Sequence, residues 1–277
     1  MIQKIETMAF EEYQLCIKPE PDTIIWRYMS LGKFKSLLEK RGLFFCRADR
    51  FADPYEGSIP KREAEYRIEA QKQAAAYHDL DFDLQRAQRN ISGFSERHKL
   101  DKQSHIINCW HINNAENDSM WRLYLDSNEG VAIKTNVAKL ESAFANTGET
   151  IYCSEVRYLD YEQDIWYDDI EYPMKGYSMF IPLVHKRNEF RQEAEIRLIH
   201  PIDTRYTTDE QTLGQYWKDQ VFHNGKIINV EVSDLIEAVY TPPTSDEQQN
   251  DTVRKMISQH NFNFKVIKSS LSSEPYY

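Results

Sequence analysis

Apolar residues come in short blocks along this chain, and their spacing changes from block to block. Residues 23–29, TIIWRYM, are an apolar, β-branched run that predicts a strand. Beyond it, Leu31, Phe34, Leu37 and Leu38 return at helical spacing, with Ser30 as N-cap and Gly42 suited to the helix end. GLFFC is a second short strand. From Pro60 to about His78 the chain is rich in Glu, Lys, Gln and Ala, a polar helix with Pro60 in its first turn. A second polar helix covers 80–98, and the two read as a helical insertion of about 60–98 between strands.

HIINCWH at 105–111 fits a buried strand. NNAENDSMWRLYL leads into a short helix capped by Asn117 or Asp118. GVAIKT (130–135) and IYCSEVRYL (151–159) are strands, 160–178 is irregular, and FIPLVHKRNEF reads as a helix after Pro182. EAEIRLI (193–199) alternates, with Ala194, Ile196 and Leu198 on one face and Glu193, Glu195 and Arg197 on the other. KIINVEV, DLIEAVYTPP, a helix at 245–259 and the strand FKVIKSSL close the chain. The pattern predicts an α+β fold: a mixed, mainly antiparallel sheet core with flanking helices. It is read as one domain over 1–277, with a C-terminal extension at about 200–277.

The 277 residues, 41% hydrophobic and 28% charged, suit a globular protein with a sizeable core. A net charge of −10 argues against a uniform basic face for duplex nucleic acid and leaves room only for a local basic groove. The four cysteines are widely spaced without a CxxC pair, which points to reduced thiols and away from a zinc site. The first residues lack a basic start followed by an apolar core, and no run nears the roughly 20 apolar residues that span a bilayer. The expected location is the cytoplasm, with no membrane partner.

Four stretches carry candidate chemistry. In EAEIR two carboxylates share a strand face with Arg197, either as a solvent-facing ion pair or as acids aimed into a cleft. In WRYMS, Arg27 interrupts an apolar strand, and its planar fork suits a phosphate or a structural acid. FADPYEGS, residues 51–58, is by default a turn: Asp53-Pro54 favours one, Gly57 takes positive φ, and Asp53 or Glu56 suits a cap on the next helix. Trp110, Trp121 and Tyr124 pack the core or build a planar slot for a ring. His111, His185, His200 and His223 are scattered, and no Ser-His-Asp order emerges.

Taken in order, these pieces resemble the bacterial "domain of unknown function 2971" family. IWRYMSLGKFKSLLEKRGLFFCRADRFADPYEGS is similar to its N-terminal signature, with Ala52 where the family's F-N-D-P-F-E loop has asparagine. NCWHINNAENDSMWRLYLDSNEGVAIKT resembles its cysteine-aromatic strand, Met-Trp-x-x-Tyr and Gly-Val strand. KRNEFRQEAEIRLI resembles its Lys-x-x-x-aromatic-x-x-Glu-x-Glu-x-Arg segment, and the likeness runs over about 24–271. It implies a link to phage-defence or toxin-like systems. A more distant resemblance is to ADP-ribosyltransferases of the Arg…Glu-x-Glu type, through Arg27 and Glu193-Ala194-Glu195, without their Ser-Thr-Ser strand motif.

That second resemblance implies a NAD-consuming enzyme. Glu195 would stabilise the oxocarbenium-like charge, Glu193 would orient the acceptor or take its proton, and Arg27 would hold a phosphate. Tyr28, Trp110 and Trp121 would flank the nicotinamide, with Asp53, Glu56 and Lys186 completing the cofactor-binding set and no metal required. The implied partners are a small-molecule nucleotide and a protein or nucleic-acid acceptor; oligomeric state is left open. The arrangement requires Arg27 and Glu195 in one cleft beside the Asp53–Glu56 loop, and it fails if the two side chains lie on opposite sides of the fold. A magnesium-dependent nuclease built on Asp53 or Glu56, Glu193, Glu195 and Lys186 is the first alternative. A non-catalytic binding or regulatory module, held by a structural ion network, is the second.

Overall fold

The computed structural model describes residues 10–125, 129–166, 178–202 and 224–273. Residues 167–177 of the expected irregular stretch and 203–223 of the expected C-terminal extension lie outside them. The chain runs β1 (Phe10–Glu11), β2 (Ile24–Ser30), α1 (Leu31–Lys40), β3 (Gly42–Arg47), α2 (Lys61–Tyr77), α3 (Leu84–Gln103) and β4 (His105–Ile112). It continues through α4 (Asp118–Tyr124), β5 (Gly130–Asn136), α5 (Val137–Ala143), β6 (Ile151–Glu155), β7 (Arg157–Leu159), α6 (Ile181–Val184), β8 (His185–Arg187) and β9 (Glu195–Pro201). Then follow β10 (Gly225–Asn229), α7 (Val232–Leu235), β11 (Ala238–Thr241), α8 (Glu247–Gln259) and β12 (Lys265–Lys268).

The α+β class and the mainly antiparallel sheet are as read from the sequence. Ten strands form one sheet in the order β1-β6-β9-β4-β2-β5-β11-β12, with β3 also on β4 and β10 on β3. Among the described residues only the β1–β6 and β11–β12 pairings in it are parallel. The sheet forks at β4. One edge of β4 carries β3 at Ile106 and Ile107, then β2 at His111 and Ile112. Asn108, Cys109 and Trp110 lie in the mouth of that fork.

Alternation sends the two rows of side chains into different surroundings. Ile25 and Met29 of β2, Ile106 and Trp110 of β4, and Ile196 and Leu198 of β9 enter the main core. That face is covered by Phe34, Leu37 and Leu38 of α1, Val137 and Leu140 of α5, Val232 and Leu235 of α7, and Val253 and Ile257 of α8. The opposite face carries two smaller apolar clusters. One is Trp26, Tyr28 and Ala132 under Met120 and Trp121 of α4. The other is Ile107 and Ile199 under Leu183 and Val184 of α6. The polar residues of β4 and β9 lie between them.

Several local expectations shift under tertiary contacts. Ser30 caps α1 by accepting the Lys33 amide, but the left-handed residue that ends the helix is Arg41 (φ 47°), not Gly42. Gly42 serves instead for close approach: a Cβ there would stand 2.5 Å from Ile227 Cγ2 and 2.8 Å from the Ile228 carbonyl oxygen. Gly42→Ala is expected to cost about 1–3 kcal/mol through overpacking against β10, read as a lower urea midpoint at unchanged m. Pro60 precedes α2 as its N-cap residue, and neither Asp53 nor Glu56 caps it. FIPLVHKRNEF is α-helical for one turn only, because His185 turns extended and β8 pairs with β7 before the chain enters a 3-10 turn. β9 begins at Glu195, after a 3-10 turn over Asn188–Glu193.

Candidate functional site

The FADPYEGS loop is a turn, and the turn aims its acids inward. Asp53 Oδ1 accepts the Tyr55 amide at 3.1 Å, and the Glu56 amide closes back on the Asp53 carbonyl at 3.2 Å. Gly57 takes φ 78°, a region open to glycine without penalty. Arg187 of β8 then grips Asp53 through Nη2 at 2.8 Å and Nε at 3.1 Å, and lies over the Tyr55 ring at 4.3 Å. Glu56 ends only 4% exposed.

There it meets the EAEIR segment. Arg197 donates to Glu195 Oε2 from Nε (3.0 Å) and Nη2 (2.8 Å), to Glu56 Oε1 from Nη2, and to the Leu183 carbonyl from Nη1 (2.8 Å). Lys186 Nζ stands 2.8 Å from Glu193 Oε2 and 3.8 Å from both Glu56 Oε1 and Glu195 Oε1. Three carboxylates thus converge on one ammonium, with Glu193 7%, Glu195 5% and Arg197 1% exposed. The strand face expected toward solvent or an open cleft is interior.

Glu193 and Glu195 do not sit on one regular strand. Ala194 between them is left-handed (φ 38°, ψ 58°), a costly conformation for alanine. The bend is held from β4 by the Ile112 amide on the Ala194 carbonyl (2.8 Å) and by His111 Nδ1 on the Glu193 carbonyl (2.6 Å). The Glu195 amide donates to the Tyr158 hydroxyl at 3.0 Å. The bend brings both carboxyl groups to Lys186.

Their environments then drive the pair apart. Burial raises the Glu193 pKa, reinforced by Glu195 and only partly offset by Lys186. Burial also acts on Glu195, but Arg197 and Lys186 outweigh it and hold that carboxyl below its ordinary value. Two like charges in contact cannot both ionise cheaply, so the pair titrates as a unit with its proton favoured on Glu193. Asp53, Glu56, Glu193 and Glu195 face Lys186, Arg187 and Arg197, and Lys102 adds a further ammonium on the Glu56 carbonyl.

Arg27 is not part of this site. Register aligns Trp26, His111 and Glu195 across β2, β4 and β9, so Arg27 projects from the other face of the sheet. It plugs the fork, donating from Nη1 to Asn108 Oδ1 at 2.9 Å and to the Cys109 carbonyl oxygen, with its guanidinium 5.7 Å from the Trp110 ring. The expected Arg27–Glu195 cleft therefore does not form, and the loop acids orient Arg187 and Arg197 in place of Arg27. Trp110 goes with Arg27, since alternation places it in the main core, so it builds no slot with Trp121 and Tyr124. Tyr28 and Trp121 do share the Glu195 face and meet edge to face at 4.9 Å.

Asp53, Glu56, Lys186, Glu193 and Glu195 are thus brought together, Tyr28 and Trp121 lie beside them, Arg27 is held in the sheet fork and Trp110 lies in the main core. Arg187 and His111 are contributors that sequence reasoning did not assign. Arg187 only follows Lys186 in the chain, and His111 was set aside for want of metal-ligand spacing. Among the described residues no group of three His, Cys, Asp or Glu side chains is disposed to hold a metal ion, and the Lys186 ammonium occupies the point between the acids.

Residues 120–198 match the model of a family described as protein of unknown function (DUF2971). The matched segment holds Trp121, Lys186, Arg187 and the whole Glu193–Arg197 stretch, and it lies within the 24–271 span of the sequence resemblance. No curated protein and no solved structure matches the chain. Among the described residues no helix is long and apolar enough to cross a membrane.

Proposed function

We propose that the Glu193–Glu195 pair is the centre of a glycosyl-transfer enzyme that opens the nicotinamide–ribose bond of NAD, an ADP-ribosyltransferase-like activity. The observation that supports it is the asymmetry of the pair: Arg197 and Lys186 both clamp Glu195, whereas Glu193 meets Lys186 alone. Paired carboxyl groups with opposed proton affinities suit this chemistry. As the C1′–N bond breaks, its electron pair leaves with nicotinamide and positive charge grows on the ribose, where a fixed, ionised Glu195 stabilises it. The acceptor's O–H then attacks C1′. In molecules where Glu193 is ionised it takes the acceptor's proton as the C1′–O bond forms, and it gives that proton up to solvent when the product leaves. The Arg27–Glu195 cleft that the resemblance requires is absent, so the Arg…Glu-x-Glu likeness lends the proposal no support and it rests on the carboxylate pair alone.

The test is incubation with NAD labelled in its ADP-ribose half, alone and with protein or nucleic-acid acceptors. Wild type is expected to release nicotinamide, and Glu195→Gln to lower that rate about 100-fold or more, the scale of losing one preorganised charge-stabilising group. Equal rates in the two proteins would sink the assignment. A cytoplasmic setting in phage defence or a toxin-like system belongs to the same proposal, and the labelled acceptor identifies the target class.

The depth of the cluster favours a second reading, a non-catalytic module braced by these ion pairs. A cavity of about 650 Å³ between α2 and α3, lined by Arg67, Arg89 and Phe94 among others, takes none of its lining from the cluster. A well-folded protein that neither binds nor consumes NAD, and that Glu195→Gln destabilises, is the outcome this second reading expects. The convergence of three acids brings the nuclease to mind, but magnesium would have to displace Lys186, which the geometry does not favour.

A further inference from the structure

The net charge of −10 leaves room for a local basic groove, and the cleft between α2 and α3 is one. Its volume of about 650 Å³ falls in the range of small-molecule sites. Arg67 of α2 lines it, with Arg89 and Arg97 of α3. Arg67 pairs with Glu63 at 2.6 Å, Arg89 stands 3.7 Å from Asp83, and the Arg97 charge acts on Asp101. Among the described residues none of these acids, nor any other Asp or Glu, lines the cleft.

Gly93 keeps the cleft open. It lies inside the 20-residue α3, where glycine is less stable than alanine. No close approach calls for it, since a Cβ there would meet nothing within 4 Å. A side chain would occupy the cleft itself, which Gly93 lines. Arg89, Gly93 and Arg97 follow at four-residue spacing and so share one helix face, with an arginine about 6 Å along the axis on either side of the glycine. Phe94, the next residue, lies under the Arg67 guanidinium at 4.9 Å. The space at Gly93 thus has an arginine at each end and a third across on α2, and planar guanidinium forks suit phosphate oxygens.

We infer that this cleft binds a nucleoside monophosphate, with the phosphate at Gly93 between Arg89 and Arg97 and the base against Tyr66 and Phe94. The Arg89–Asp83 pair is long and exposed, so little is lost when a phosphate takes the place of the aspartate. Asn90 Nδ2 donates to Gln71 Oε1 at 2.8 Å, and both amides line the cleft, where they can meet the polar edge of a base. Among the described lining residues no carboxylate, imidazole or thiol offers a nucleophile or a general base, so the cleft recognises its ligand without transforming it. It shares no residue with the carboxylate pair, so it stands whether or not NAD is consumed there.

The experiment is calorimetric titration of the full chain with AMP, GMP, CMP and UMP, and with adenosine and inorganic phosphate as the separate halves. At least one nucleotide is expected to bind about 10-fold or more tightly than either half, because the linked halves bind as one. Arg89→Gln is expected to lower that affinity about 10- to 100-fold, the scale of one hydrogen bond to a charged group. Gly93→Leu is expected to abolish binding while its thermal midpoint is no lower than that of wild type, since leucine suits a helix interior and enters open space. Nicotinamide release from NAD is expected to be the same in Gly93→Leu as in wild type, so failure here and failure of the carboxylate assignment read out separately. Nucleotide binding that survives in Gly93→Leu overturns the inference. Failure of all four nucleotides to bind, or inorganic phosphate or phenyl phosphate binding as tightly as they do, overturns it too. Should Gly93→Leu prove unstable, Arg89→Gln, a change at an exposed side chain, decides alone, and undiminished affinity there overturns the inference.

Discussion

Arg197→Met is expected to lower the unfolding free energy by about 3–5 kcal/mol, the usual result of stripping one partner from a buried charge cluster. Arg197 is 1% exposed, and its guanidinium serves Glu195, Glu56 and the Leu183 carbonyl at once. Methionine fills much of the same volume, so the loss reports the stranded carboxylates more than a cavity. Urea unfolding at neutral pH measures it. Glu195→Gln in the Arg197→Met background should recover part of the loss, because it removes one uncompensated charge; full additivity of the two changes would contradict the coupling.

The same variant carries a pH signature. In wild type the Glu195 pKa is depressed on folding, so its contribution is present above the unfolded glutamate value and lost as pH falls through the folded one. Glu193 runs the other way: its pKa is raised on folding, so it costs stability above the unfolded value and that cost fades as pH falls. Without Arg197, Glu195 joins Glu193 in that second behaviour. The stability gap between Arg197→Met and wild type should therefore narrow on acidification, and a gap that widens would refute the assignment of charge at Glu195.

Arg27→Met should cost about 2–4 kcal/mol, from leaving a buried carbonyl and a side-chain amide at the sheet fork without their donor. β2 and β3 part at β4, and in the gap the Cys109 carbonyl and Asn108 receive Arg27 in place of a strand. Asn108 is itself committed to Trp110 Nε1 at 2.8 Å and to the Phe44 carbonyl at 2.9 Å, so the damage reaches three strands. NAD turnover per folded molecule is expected to stay within about twofold of wild type, as for a residue that makes no contact in the transition state. A loss of turnover as deep as that of Glu195→Gln, at unchanged stability, would return Arg27 to the proposed site. Arg27→Lys should recover little, since one ammonium does not reproduce the planar fork.

The elements themselves were largely legible. Apolar spacing located α1 and its Ser30 cap, and short β-branched runs located β2, β4, β5 and β9. Alternation correctly placed Glu195 and Arg197 opposite Ile196 and Leu198. The motif stretches also proved informative as a set, since FADPYEGS and EAEIR meet through Glu56 and Arg197. Misreadings arose where a distant partner overrode a local preference. FIPLVHKRNEF gave up most of its helix to the β7–β8 pairing, and Ala194 was read as a strand residue although β4 bends it into the left-handed region.

What the sequence by itself determined is which residues share a face within one strand, because period two is local geometry. It also determined that Arg27, inside an apolar strand, and the like charges Glu193 and Glu195 needed partners, because charge is rarely buried alone. Only the tertiary structure decided which face of β2 looks toward Glu195. That depends on inter-strand register, where a slip of one residue reverses every side chain. Trp26 pairs with His111 and His111 with Glu195, so Tyr28 joins the carboxylates and Arg27 is turned into the fork. The loop at 51–58 is a turn by its own chemistry, and it becomes part of a site because Arg187 and Arg197, more than 130 residues away, reach back to hold Asp53 and Glu56.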